Sequence, residues 1–115
     1  MKVYCYPKCT TCKKALKWLD EQNKDYELVD IKENNPSKEV LRAAYEKSGL
    51  PLKRFFNTSG LKYKELKLKD RLAEMSEEEQ LDLLAGDGML VKRPLVLADS
   101  VVLTGFKEAE WIDRL

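Results

Sequence analysis

The sequence predicts an α/β fold: a mixed four-stranded sheet with a block of helices inserted between its two halves. Three observations carry that prediction. The short apolar run Val3-Tyr4-Cys5-Tyr6 is followed by helical spacing at Cys12, Ala15, Leu16 and Leu19, and then by an alternating stretch from Asp25 to Ile31. That is the pattern of a βαβ unit, whose crossover is right-handed and whose strands are parallel. Near the other end, Leu95-Val96-Leu97-Ala98 and Val101-Val102-Leu103-Thr104 flank Asp99-Ser100, the composition of an antiparallel hairpin. Residues 37–87 between them read as helices.

In chain order, residues 2–6 are expected as a buried strand and 10–22 as the first helix, with Trp18 and Leu19 on or beside its apolar face. Residues 25–31 form the second strand, its apolar members Tyr26, Leu28 and Val29 to Ile31. After a polar loop, Ser37 is a good N-cap for a helix carrying Val40, Leu41, Ala44 and Tyr45. Gly49 and Pro51 close that helix. Phe55 and Phe56 are expected in the core, and Asn57-Thr58-Ser59-Gly60 as a turn. One short helix is expected over Tyr63, Leu66 and Leu68, and another segment over Leu72 and Met75. Ser76 with Glu79 makes a capping box, and Leu81, Leu83, Leu84 and Ala85 carry that helix to Gly86. Met89-Leu90-Val91 leads into the hairpin, and a last helix over 107–115 offers Ala109, Trp111, Ile112 and Leu115 for packing.

The bulk properties narrow the function. A chain of 115 residues is of single-domain size, read as one domain over 1–115. Charged residues make up 36% with a net charge of +1, a solvated surface of both signs rather than the basic footprint of a nucleic-acid binder. The first residues show no charged segment followed by an apolar run, so no signal peptide is expected, and no apolar stretch approaches the ~20 residues that span a bilayer. The expected location is the cytoplasm, where thiols are kept reduced, and the expected state is a monomer without direct nucleic-acid or membrane contact.

In that setting Cys9-Thr10-Thr11-Cys12 stands out. Two cysteines sit where a strand turns into a helix. The free N–H groups of the first helical turn and the helix dipole favour a negative charge there, and Lys8, Lys13 and Lys14 add to it. A CxxC after the first strand of a βαβ unit is a thioredoxin-like redox signal. Cys12 shares the helical face of Ala15, Leu16 and Leu19, so it is expected deeper than Cys9: an exposed thiol that attacks and a sheltered one that resolves the mixed disulfide. Two other readings of the pair stand beside this one. Free cysteines pack as small hydrophobes. They also serve as zinc ligands, but with no His and only Cys5 besides, a four-ligand site here needs a carboxylate. Cys5 has the strand parity of Val3 and is expected in the core rather than as a third redox centre.

Arg93-Pro94 is the second feature. Proline tolerates only the start of a central strand, and Pro94 opens the run that begins at Leu95. A thioredoxin-like fold implies a cis proline there, facing the redox motif. Arg93 then lies near Cys9, where its fork of donors suits a thiolate, an oxyanion or a substrate carboxylate. The plainer reading is a surface arginine beside Lys92.

With these residues in view, the chain resembles the family that joins glutaredoxin-coupled arsenate reductases and the Spx regulators. The resemblance rests on Tyr6-Pro7-Lys8-Cys9-Thr10-Thr11-Cys12, on Asn57-Thr58-Ser59-Gly60 before Tyr63-Lys64-Glu65-Leu66, on Leu90-Val91-Lys92-Arg93-Pro94-Leu95, and on Gly105-Phe106. It implies a glutaredoxin-type thioredoxin-like fold and places Cys9 at the nucleophile's position. The chain departs from the reductases where they carry further arginines: Asn57 and Gly105 stand at such positions, and Ser59 stands where many relatives, the Spx regulators included, have an arginine. That leaves Arg93 as the single cation expected at the site. The reductases generally lack the second cysteine and resolve with glutathione, whereas Cys12 allows an internal disulfide.

The expected function is thus a cytoplasmic thiol–disulfide oxidoreductase. Cys9 attacks, Cys12 resolves, and Arg93, Pro94 and the Thr10 and Thr11 N–H groups surround the developing charge. Its substrate is a thiol, a disulfide or a small oxyanion such as arsenate. No tightly bound cofactor is expected, and glutathione with glutaredoxin, or thioredoxin, is the implied electron donor. The alternative is an Spx-like redox regulator that binds RNA polymerase.

Overall fold

The computed structural model describes residues 1–115. Strand β1 spans Lys2–Cys5, with Val3, Tyr4 and Cys5 all buried, as a strand covered on both faces must be. Helix α1, Thr10–Glu21, follows, and its apolar stripe of Cys12, Ala15, Trp18 and Leu19 is buried. Strand β2, Glu27–Asp30, pairs with β1 in parallel, Lys2 opposite Glu27 and Cys5 opposite Asp30. Strands β3, Leu95–Leu97, and β4, Val102–Thr104, form the hairpin. β3 lies antiparallel to β1, and the sheet order is β2-β1-β3-β4. This is the mixed four-stranded sheet expected.

Between β2 and β3 the chain forms helices α2 (Lys38–Ser48), α3 (Leu61–Glu65), α4 (Leu68–Arg71) and α5 (Glu77–Gly86), with short 3-10 turns between them, and α6 (Glu108–Arg114) ends the fold. The caps follow local chemistry. Ser37 Oγ accepts the Val40 N–H, Gly49 takes the left-handed conformation at φ 68°, and Ser76 with Glu79 closes a full capping box.

Strand alternation divides the core in two. Tyr4, Leu95 and Val102 face the inserted helices, with Leu41, Phe55, Phe56, Leu81 and Leu84. Val3, Cys5, Val96 and Leu103 face α1 and α6, with Cys12, Leu19 and Trp111. The Trp111 ring meets Phe106 edge-on at 4.8 Å and Trp18 at 5.8 Å. No helix is long and apolar enough to cross a membrane.

Four local expectations are corrected. The segment over Tyr63, Leu66 and Leu68 is two helices, because Lys67 is left-handed at φ 54° and interrupts the hydrogen-bond ladder. Met89 and Leu90 lie in a 3-10 turn rather than leading as a strand into the hairpin. Leu28 is 54% exposed, because β2 is an edge strand, and Ile112 is 64% exposed on the outer side of α6.

Candidate functional site

The turn before α1 delivers the first cysteine. The Cys9 N–H donates to the Tyr6 carbonyl at 3.0 Å, and the Cys9 carbonyl accepts the Lys13 N–H at 3.1 Å. Cys9 is therefore the N-cap of α1, half-buried, with extended backbone and no cap bond from its side chain. Thr10 and Thr11 are the first two helical residues, whose N–H groups have no carbonyl within the helix to bind. Cys12 is 1% exposed. The depth asymmetry read from helical spacing is present.

The second wall comes from residues distant in sequence. The Arg93–Pro94 bond is cis, and the Gly105 N–H donates to the Pro94 carbonyl at 2.9 Å. That bond pins the end of β4 beside the proline. A two-way backbone bridge then draws in the helical block: Lys92 N–H to the Phe55 carbonyl and Asn57 N–H to the Leu90 carbonyl, both at 2.8 Å, around the Phe56–Val91 pair.

These walls enclose a cavity of about 620 Å³ lined by Cys9 and Thr11, by Asn57, Ser59 and Gly60, and by Arg93, Thr104, Gly105 and Phe106. Arg54, Lys92 and Lys107 line it as well, and no carboxylate does. The expectation of a single cation is thus corrected. Arg93 is joined by three others, supplied by the 3-10 turn Leu52–Phe55, the residue before Arg93 and the N-cap of α6. The Lys92-Arg93 doublet was the one trace of this in the sequence, and nothing local marks Arg54. Thr10 and Pro94 are not among the lining residues, whereas Thr11 is.

Two atoms in this wall lack partners. Arg93 Nε and Thr104 Oγ1 are the buried side-chain polar atoms left without a hydrogen bond in the protein. Leaving such a group unpaired costs about 1–3 kcal/mol, more for a charged one. Their neighbours are engaged elsewhere: Arg93 Nη1 reaches the Met89 carbonyl at 3.5 Å.

Electrostatically, the cysteines act as a group of three. The Cys12 thiol is pulled down to about 6, first by hydrogen bonding from Cys5, opposed by burial, and helped by the Tyr6 backbone, the Cys9 side chain and the charge of Arg93. Cys5 is pushed up, first by its hydrogen bond with Cys12 and then by burial. We assign the charge to Cys12 because several donors converge on it, while Cys5, the last residue of β1, lies in the apolar core. All three are free thiols. No group of three or more His, Cys, Asp or Glu side chains converges in a way that would hold a metal ion.

Comparison with known proteins identifies the family and the fold. A family model described as the ArsC family matches residues 4–113. The uncharacterized protein YusI of Bacillus subtilis is 60% identical over 108 residues, covering 94% of this chain and 92% of its own. The crystal structure of an ArsC family related protein from Bacteroides fragilis superposes with a TM-score of 0.95 at 54% identity, over 97% of this chain and 94% of that one. An arsenate reductase from Vibrio cholerae superposes at 0.86 with 26% identity, over 100% and 98%. The regulatory protein MgsR of Bacillus subtilis is 25% identical over 93% of this chain and 83% of its own.

Proposed function

The chain belongs to the ArsC family, and from that premise we propose that it is a thiol–disulfide oxidoreductase acting on a carboxylate-bearing disulfide, with Cys9 as nucleophile and Cys12 as resolving thiol. The observation that carries this reading is a cavity that opens on Cys9 and is lined by four cations and no carboxylate. Such a lining attracts an anionic ligand. Size selects among anions. At about 620 Å³ the cavity falls in the range of pockets that hold small organic ligands, about 300–1,000 Å³, which suits a glutathionyl group better than a bare oxyanion.

The steps balance without a cofactor. Cys9, its proton taken by the Cys12 thiolate, attacks the substrate disulfide, forming a Cys9–substrate bond and releasing one thiolate. Cys12 then attacks the Cys9 sulfur, forming Cys9–Cys12 and releasing the second. The substrate gains two electrons and the cysteine pair loses them. A dithiol donor such as reduced thioredoxin returns the pair to its reduced form and is itself oxidised to a disulfide. Thr11 and the N-terminal N–H groups of α1 meet the charge on Cys9.

A redox titration of the wild type with Cys9→Ser and Cys12→Ser variants tests this. An internal disulfide forming across cytosolic potentials, and lost in both variants, is expected. A wild-type protein that stays fully dithiol overturns the reading. Arsenate is the competing substrate, and its turnover to arsenite with glutathione and glutaredoxin would transfer the reading to it. The likeness to the regulatory protein MgsR favours a second reading, a regulator, which the resemblance to the Spx regulators makes a redox regulator that contacts RNA polymerase. Polymerase retained in one redox state and released in the other would favour it.

A further inference from the structure

Cys5 is buried in the core as expected, and the same core cluster holds Cys12. Alternation along β1 sends Val3 and Cys5 toward α1, into the same cluster as Cys12. Cys5 and Cys12 both line a second cavity of about 250 Å³, closed by Tyr6, Pro7, Leu16 and Leu28. That cavity shares no residue with the one that Cys9 lines. Cys12 therefore stands between two thiols, each belonging to a different cavity.

We infer that Cys5 is a third redox thiol, which attacks Cys12 in the Cys9–Cys12 disulfide and leaves a Cys5–Cys12 disulfide with Cys9 free. The inference rests on the Cys9–Cys12 reading above. The S5–S12 bond forms and the S9–S12 bond breaks. Cys5 is oxidised, Cys9 is reduced, and the proton lost by Cys5 is regained at Cys9, so no outside oxidant enters. In the reduced protein Cys5 is held protonated chiefly by its hydrogen bond to Cys12. Once Cys12 is in a disulfide it carries no charge, and that largest cause is gone. The leaving Cys9 thiolate emerges into the cavity of Arg54, Lys92, Arg93 and Lys107, and a stabilised thiolate leaves faster. The exchange moves the oxidised pair from the anion cavity to the second one, and Cys9 is free to meet another substrate.

Trypsin separates the two disulfides cleanly. Cleavage after Lys2, Lys8 and Lys13 puts Cys5 on peptide 3–8 and both Cys9 and Cys12 on peptide 9–13. A Cys9–Cys12 bond is then a loop within one peptide, while a Cys5–Cys12 bond joins two; a Cys5–Cys9 bond joins the same two peptides, and Cys9→Ser removes that alternative. The full chain is oxidised with diamide, the monomer is recovered from a non-reducing gel, and the peptides are weighed without reduction. Wild type should give both products, and Cys9→Ser should give the joined pair, which a reductant separates. Cys5→Ala, with Cys5→Ser as the variant less disturbing to the core, should give the loop alone. A loop in the Cys5 variants with Cys9→Ser remaining dithiol overturns the inference and leaves the parent reading standing. Wild type giving only the loop does the same. Absence of the loop from the wild type and both Cys5 variants overturns the parent reading and the relay with it.

Discussion

The guanidinium carbon of Arg93 lies 5.5 Å from the centre of the Tyr6 ring. A cation over an aromatic face at this range contributes about 0.5–2 kcal/mol, depending on how dry the contact is. Here it joins the two halves of the site. Tyr6 begins the turn that presents Cys9, and Arg93 precedes the cis proline of the opposite wall. With one face on Tyr6 and Nη1 directed at Met89, the guanidinium is held at the cavity wall, its Nε buried without a partner.

Replacing Arg93 tests that arrangement. Arg93→Lys keeps a positive charge and loses the planar fork. Turnover of oxidised glutathione should fall by about ten- to a hundredfold, matching about 1.5–3 kcal/mol for a hydrogen bond to a charged partner. Turnover of an uncharged disulfide should change far less. Lys107→Gln should instead flatten the salt dependence of the glutathione reaction, since an exposed cation acts through a screened field. Equal loss on charged and uncharged disulfides would remove Arg93 from substrate recognition.

The thiolate of Cys12 should titrate near pH 6, read by ultraviolet absorbance in Cys9→Ser. Cys5→Ala, combined with it, should raise that midpoint, because the largest lowering cause is the Cys5 hydrogen bond. Cys5→Ser keeps a donor and should raise it less. The linkage has a definite sign. A thiol depressed from its ordinary 9.0 stabilises the fold fully above pH 9, and that contribution is lost as pH falls through about 6. The unfolding free energy of the reduced protein should therefore rise between those limits, more steeply than in Cys12→Ser.

The Glu78 carboxylate meets Arg42 at 2.6 Å and Lys38 at 2.8 Å, joining α5 to α2. Hydrogen bonds from Arg42, then Lys38, draw it down from 4.5 to about 2. Its contribution is present above pH 4.5 and lost as pH falls through about 2. Glu78→Gln should flatten the acid limb of a urea-unfolding series across that window. The effect is small because the group is exposed to solvent. An unchanged acid limb would mean the pair is not formed in solution.

Gly88 has no room for a side chain. A Cβ there would lie 2.1 Å from the Ile31 carbonyl oxygen, a backbone atom that cannot swing away. Gly88→Ala should cost about 1–3 kcal/mol by thermal unfolding, as overpacking does. It should also weaken the thiol chemistry, because the 3-10 turn it disturbs leads directly to Lys92 and Arg93. Wild-type stability would show that the chain shifts freely there.

Sequence alone determined the features governed by neighbours along the chain. The strand-to-helix turn put Cys9 at the start of α1 and helical spacing put Cys12 on its buried face, since 3.6-residue periodicity fixes which side of a helix a residue takes. The caps at Ser37 and Ser76 and the turn at Asp99-Ser100 follow from side chains that bind their own backbone or favour reversal. The parity of Cys5 with Val3 was equally legible. The tertiary structure decided what those residues meet. Arg54 and Lys107 reach the cavity because a backbone bridge at Phe56–Val91 and the docking of α6 bring distant segments to one rim. Cys5 meets Cys12 because α1 packs on the face of β1 that carries it. Leu28 and Ile112 are exposed because nothing in the fold covers the outer side of an edge strand or a terminal helix. Periodicity assigns a face to each residue, but only packing between elements far apart in sequence assigns its neighbour. The cation set and the three-thiol cluster are both made of such neighbours.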